Sequence, residues 1–294
     1  MYTLLLADIT VLSPFVDYFQ SKGGNAEAIL EDRRIPLGAL EQGTGKITKM
    51  QFYSTVAAMA HSAGAEDYGY QVGQLFQPKD MGGLGKAVMQ ASTLLDALHT
   101  LQMYVNNWVE GAEILLQEEG DDLWLIDHGT DGLNAFRCQT GQATVFLLTN
   151  IVRMVAGADW SPKQAKTEAN YIDALHIYQD FSETEFFYQN PYNAIAIPKE
   201  FLSLPMPHCE EKSLVFSQEK LSLHDQLKLL IHTHLLNDQL LHARDAAEIT
   251  GVSERSFLRQ LAEHGVSYRQ LLDRSRYEIA TELLDQWIST TDAA

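Results

Sequence analysis

Hydrophobic positions recur along this chain with two different periods, and the switches between them mark out its elements. In "MQFYSTVAAMAHSAG" and "STLLDALHTLQMYVNNW" apolar residues return every three or four positions, the spacing of one face of an α-helix. Ser92 stands at the head of the second run, where a helix takes its N-cap. "GAEILLQEEGDDLWLIDHG" then reads as two short strands around a Gly-Asp-Asp turn. The helical period returns in "GQATVFLLTNIVRMVAGA", and "TEFFYQNPYNAIAIP" is strand-like again. Runs of helices beside adjacent strand pairs, without steady alternation, predict an α+β domain with a mostly antiparallel sheet.

Residues 203–221, "SLPMPHCEEKSLVFSQEKL", break the pattern with two prolines, five charged residues and no period. They predict a linker between an N-terminal unit, 1–202, and a C-terminal unit, 222–294. The second unit is helical in pattern almost throughout: it lacks proline and has glycine only at 251 and 265. A chain of 294 residues also suits two cores better than one. Neither internal repeats nor low-complexity tracts interrupt it.

Composition narrows the setting. With 46% hydrophobic residues the chain can bury enough apolar surface to fold as a soluble globular protein. The opening "MYTLLLADITVLSP" has no basic leader and no small-residue cleavage pattern, and no apolar run approaches the roughly 20 residues that cross a bilayer. A cytoplasmic location is the expectation. The two cysteines, Cys138 and Cys209, are too few for a disulfide framework and lack metal-ligand spacing. A formal net charge of −18 opposes general attraction to phosphate, so any nucleic-acid contact needs a local basic surface.

Such a surface is written into residues 243–276, "ARDAAEITGVSERSFLRQLAEHGVSYRQLLDRSR", where six arginines meet five carboxylates for a local balance of +1. "ARDAAEIT" predicts a short helix, and Gly251 supplies a turn that tolerates positive φ. Val252 can tuck between the helices, and Ser253 caps a second helix that ends at Gly265. Helix, short turn, helix is the helix-turn-helix plan, whose second helix can enter a major groove. Along it Phe257 and Leu261 lie four apart on one face, and Arg255 and Arg259 four apart on another. An arginine there can donate two hydrogen bonds to guanine, or one to phosphate. The competing reading is a solvated face on which Glu254, Arg259 and Glu263 form weak ion pairs.

"GVSERSFLRQLAEHGVSYRQLLDRSRYEIATELL" resembles the first helix-turn-helix of AraC/XylS-type transcriptional regulators. Upstream, "MGGLGKAVMQASTLLDALHTLQMY" and "NAIAIPKEFLSLPMP" are similar to the arabinose-binding-like effector domain of one branch of that family. The resemblance implies an effector-binding and dimerisation domain over 1–202 and a DNA-binding domain over 222–294. It places Arg255, Leu258 and Arg259 toward the bases, with Glu254 beside them, Phe257 and Leu261 inside, and Arg276 on the long connecting helix. The partners it implies are an operator in double-stranded DNA, a small-molecule effector, a second copy of the chain and RNA polymerase. It implies no cofactor. Family members carry two helix-turn-helix units, whereas this sequence stops at "WISTTDAA", about where the second would begin. The expectation is a fragment holding the first unit only, with weak and strongly salt-dependent DNA affinity.

Other motifs are weaker. "GTGK" at 43–46 and "GGLGK" at 82–86 lack the spacing and the hydroxyl residue of a phosphate loop, and predict structural turns. On one helix His232 and His234 would point about 200° apart, and His224 and His242 would lie roughly 27 Å apart, so the four do not converge on a metal. Asp127-His128 with Cys138, and His208-Cys209, lack the elbow and oxyanion signals of a nucleophile site. Phe52, Tyr53, Tyr104, Trp108, Trp124 and Phe136, with Phe186 and Tyr188, are candidate walls of a pocket for a partly apolar effector. The alternative from another class is a ligand-binding or enzymatic domain whose helical tail serves a protein partner.

Overall fold

The computed structural model describes residues 4–129, 137–170, 178, 181–207 and 221–291, with side chains described as far as 284. The fold is α+β: a helix-rich unit with mixed sheet, then helices only. Strand β1 (Leu6–Asp8) pairs antiparallel with β2 (Lys46–Thr48), Leu6 opposite Thr48. Between them run α1 (Ser13–Ser21), α2 (Ala26–Asp32) and α3 (Leu37–Gln42). Helix α4 (Lys49–Ala63) follows β2 directly. Its capping box is built by Thr48 and Gln51, whose amides donate to each other's side-chain oxygens at 2.9 and 3.0 Å.

After α5 (Tyr68–Gly73) and α6 (Gly82–Met89) comes α7 (Leu94–Trp108). Its N-cap is Thr93, where the sequence predicts Ser92. Asp96 stands three residues after Thr93 and closes a capping box with it, at 3.2 Å in each direction, whereas the third residue after Ser92 is Leu95. The predicted hairpin is β3 (Ala112–Glu119) and β4 (Asp122–Gly129), turning at Gly120 with φ +58°. Helix α8 (Cys138–Ala156) is followed by β5 (Gln164–Lys166), β6 (Glu185–Phe187) and β7 (Asn193–Pro198). The sheet order is β3-β4-β7-β5-β6, antiparallel except for the parallel pair β5–β6. "TEFFYQNPYNAIAIP" is therefore two strands. Gln189 at φ +55° and Pro191, which has no amide hydrogen, break the run, sending β6 to the edge and β7 to the interior of the sheet.

Both faces of β4 are covered. Leu123 and Leu125 join the main core, to which α8 contributes Phe146 and Ile151; Trp124 and Ile126 form a separate cluster with Ala194 and Ala196 on the other face. Helices α5 and α8 meet so closely that a Cβ at Gly69 would lie 1.8 Å from the Gln139 carbonyl oxygen. A methyl there must push two helices apart, so Gly69→Ala is expected to cost about 1–3 kcal/mol in urea denaturation, the usual range for overpacking.

Helices α9 (Leu223–Leu235), α10 (Ala243–Ile249), α11 (Glu254–Glu263) and α12 (Tyr268–Thr291) share a second core. Leu4 and Leu6 belong to it, so the amino-terminal end of the described chain packs among the carboxy-terminal helices. Of the proposed linker stretch, residues 203–206 lie along the start of α7. Leu94 donates its amide to the Leu204 carbonyl at 3.0 Å, and Met206 to that of Ser92 at 3.1 Å. Residues 208–220 lie outside the described part. Among the described residues, no helix is long and apolar enough to cross a membrane.

Candidate functional site

Helix α10 stops because Gly251, at φ +76°, turns the chain. The Gly251 amide donates to the Glu248 carbonyl at 2.9 Å, and the Val252 amide to that of Ala247 at 3.1 Å. Ser253 then caps α11, its hydroxyl accepting from the Ser256 amide at 3.2 Å. Phe257 and Leu261 are buried, and Phe257 meets Tyr268 edge to face at 5.7 Å. Tyr268 is fixed in turn by donating its hydroxyl to the Leu241 carbonyl at 2.8 Å.

Away from that core α11 exposes Glu254, Arg255, Leu258 and Arg259. Arg259 Nε lies 3.7 Å from Glu263, both side chains being largely exposed, a pairing that redirects at little cost. Arg255 has no carboxylate at ion-pair distance among the described residues. Leu258 is 40% exposed on the same side. Arg276 projects from α12, half-exposed, its Nη1 3.6 Å from Asp273. Four of the five predicted DNA contacts thus share the exposed side of α11, and the fifth sits on another helix.

A second feature lies inside the first unit. Tyr53, Phe52, Phe15, Phe76 and Trp108 form a continuous ribbon of rings, successive centroids 5.3 to 6.5 Å apart. The ribbon lines a cavity of about 80 Å³ between α1, α4, α7 and α8. That volume is smaller than the roughly 300–1,000 Å³ of the usual small-molecule site.

Three of the predicted aromatics, Phe52, Tyr53 and Trp108, line the cavity. Trp124 does not. It sits one position out of step with Leu123 and Leu125, so its ring is on the far face of β4, under Lys166 Nζ at 4.0 Å. Tyr104 also misses: Leu101, Val105 and Trp108 make the lining stripe of α7, and Tyr104 falls about 70° to its side at 100° per residue. Phe186 and Tyr188, stacked at 5.9 Å, pack against the core without lining the cavity. Phe136 is outside the described residues.

The cavity also has charged walls that the sequence did not single out. Arg137, 5% exposed, reaches Asp127 and Glu168, the latter at 3.0 Å. Asn193 ties the two acids together. Its Nδ2 is 3.3 Å from Glu168 Oε2 and 3.5 Å from Asp127 Oδ2, while its Oδ1 accepts from the Glu168 amide at 3.1 Å. Burial pushes the Glu168 carboxyl up to about 7; Arg137 opposes that shift and the charge of Asp127 adds to it. Lys49, buried in the wall beside Tyr53, donates from Nζ to the Glu110 carbonyl at 3.0 Å.

Asp127, His128 and Cys138 are not assembled as a nucleophile and its base. On β4 the acid faces Arg137 and the imidazole faces Glu113 at 3.7 Å, while Cys138 is exposed at the start of α8. The α9 histidines are scattered. His232 lies 3.6 Å from Glu278, and His234 is buried, its pKa lowered to about 4 chiefly by desolvation.

An α+β unit built round a lined cavity, followed by helices that present an arginine face, is the plan of a transcription regulator with an effector-binding domain. The chain belongs to the AraC family of such regulators: residues 23–206 match the family model described as the arabinose-binding domain of AraC transcription regulator, N-terminal. Among solved structures, the transcriptional regulator CdpR from Pseudomonas aeruginosa is similar at 16% identity and a TM-score of 0.44, over 90% of this chain and 85% of that one. No curated protein matches the chain.

Proposed function

We propose that the chain is a ligand-responsive regulator without enzymatic activity. In this reading residues 1–202 bind a small effector and pair with a second copy, and residues 222–294 set α11 into the major groove of double-stranded DNA. The observation that carries the DNA step is the division of α11 into a buried side, Phe257 and Leu261, and an exposed side bearing Arg255, Leu258 and Arg259. Arg276 takes phosphate from the neighbouring helix. A second copy supplies the second reading helix, as paired half-sites require.

The effector step draws support from how the cavity wall joins the helices. Lys49 follows Thr48, whose hydroxyl donates to the Ile249 carbonyl at the end of α10, at 2.9 Å. Lys49 itself bonds the Glu110 carbonyl, and the Glu110 carboxylate accepts from Gln226 of α9 at 2.8 Å. A ligand that prefers one setting of this wall thereby prefers one setting of α9 and α10, and it shifts the populations by that difference in affinity alone.

Arg259→Ala is the direct test. Loss of a bidentate base contact weakens specific binding by about 1–3 kcal/mol and relaxes the preference at one base pair. Fluorescence anisotropy on operator variants selected with the wild-type chain measures both, at a fixed salt concentration. Unchanged affinity and unchanged preference would remove Arg259 from the interface.

A further inference from the structure

Beside α10 the first unit is bridged to the helices rather than packed against them. A cleft of about 510 Å³ lies there, walled by Leu30 and Leu37 on one side and by His234, Leu241 and Asp245 on the other. Arg34 spans it. From the turn between α2 and α3 its Nη2 donates to Glu248 Oε2 at 3.0 Å and lies 3.2 Å from Asp245 Oδ1, two carboxylates three residues apart on α10. Farther along the same seam α3 abuts the chain just after α9, where a Cβ at Gly38 would lie 2.4 Å from Asn237 Oδ1.

The backbone at Arg34 suits a different residue. Its φ is +53°, in the left-handed region that glycine enters freely and an arginine does not. The turn holds that setting with backbone bonds alone: the Arg34 amide donates to the Glu31 carbonyl and the Ile35 amide to that of Leu30, both at 2.9 Å. Gln51 of α4 donates from Nε2 to the Arg33 carbonyl at 2.9 Å, tying the turn to the helix whose Phe52 and Tyr53 line the cavity. What an arginine adds here is the reach to α10. Pairs this exposed contribute little to folding, with Arg34 37% and Glu248 64% exposed, but they bias how α10 lies on the first unit, and α11 follows it through the Gly251 turn. Resting on the reading of α11 as the DNA-reading helix of a paired chain, we propose that Arg34 is a positioning residue that fixes the angle of α10 and α11 on the first unit. It thereby sets which separation of half-sites a pair of chains accepts. Two reading helices held at set angles engage both half-sites only at matching separations, whereas loosely held ones tolerate several.

Arg34→Gly is the discriminating variant, because glycine accepts the same φ and only the clasp is lost. Whole wild-type and variant chains are compared on a half-site selected with the wild type, and on duplexes carrying two copies of it at separations increased one base pair at a time over a helical turn. The wild type is expected to lose affinity at least about tenfold between its best separation and one half a turn away. In the variant that contrast should shrink at least about threefold, with single half-site binding unchanged. Amide exchange should quicken in the peptide spanning α10 and stay the same in α8. Should Arg34→Gly fold poorly, Asp245→Asn combined with Glu248→Gln removes the opposing charges, leaves the turn intact and is expected to act alike. Unchanged exchange or an unchanged contrast in the folded variant overturns the role of Arg34 and leaves DNA reading by α11 in place. Equal weakening on every duplex, the single half-site included, also overturns it, since that is the effect of a residue needed only for structure. A wild-type chain that prefers no duplex over random sequence overturns DNA reading itself, and the spacing role falls with it.

Discussion

Replacing Arg137 with methionine is expected to lower the stability of the chain by about 3–5 kcal/mol, the usual cost of removing one partner from a buried ionic cluster. The side chain is 6% exposed, and its loss strands two carboxylates in a site that water reaches poorly. The deficit should depend on pH. The folded-state pKa of Glu168 is raised above its ordinary value to about 7. Its contribution to stability is thus complete below the unfolded value near 4.5 and is lost as pH rises through 7. Without Arg137 the largest influence holding that pKa down disappears, so the variant suffers most in alkali. Urea titrations at pH 5.5 and pH 8 measure this, with the smaller deficit expected at pH 5.5. Equal deficits at both would mean that Glu168 is not the group left unpaired.

This cluster was invisible in the sequence for a physical reason. Asp127 lies near the end of a strand, Arg137 precedes a helix and Glu168 follows the short strand β5 inside the sheet, and no periodicity links them. The dipeptide Asp127-His128 even invites a catalytic reading, which the two-residue alternation of β4 separates onto opposite faces. The aromatic ribbon is similar. Phe15 comes from α1, Phe76 from the stretch after α5 and Trp108 from the end of α7, so only the fold brings them together. Trp124 illustrates the converse: an aromatic residue on a strand buried on both sides gives no sequence signal of which face it joins.

What was legible was local. The Ser253 cap, the Gly251 turn and the four-residue spacing of Phe257 and Leu261 depend on contacts within about three turns of helix, and α11 forms as they predict. So did the β3–β4 hairpin and helices α4, α7 and α8. The contribution of Leu4 and Leu6 to the carboxy-terminal core was not legible, because β1 is joined to that core through its long-range pairing with β2, whose Lys46 amide donates to Thr233 Oγ1 of α9 at 2.8 Å.

The two sides of α11 predict opposite outcomes for adjacent residues. Phe257→Ala removes a ring that is 3% exposed, packed on Tyr268 and sharing a core with Leu4, Leu6 and Leu241. Its expected cost is about 3–5 kcal/mol, the range for emptying a buried aromatic site. Because the cavity left behind adjoins the Ser253 cap and the start of α12, the turn is expected to loosen, and with it the DNA binding proposed for α11. Leu258→Ala, one position further on, strips a side chain that is 40% exposed and should change stability by no more than about 0.5 kcal/mol. Its effect should fall on sequence preference, through loss of an apolar contact such as one with a thymine methyl. Urea denaturation and near-UV circular dichroism separate the two variants, and anisotropy on operator variants completes the comparison. Equal stability losses would mean that α11 is rotated about its axis, and the rotation would take Arg255 and Arg259 off the side proposed to face DNA.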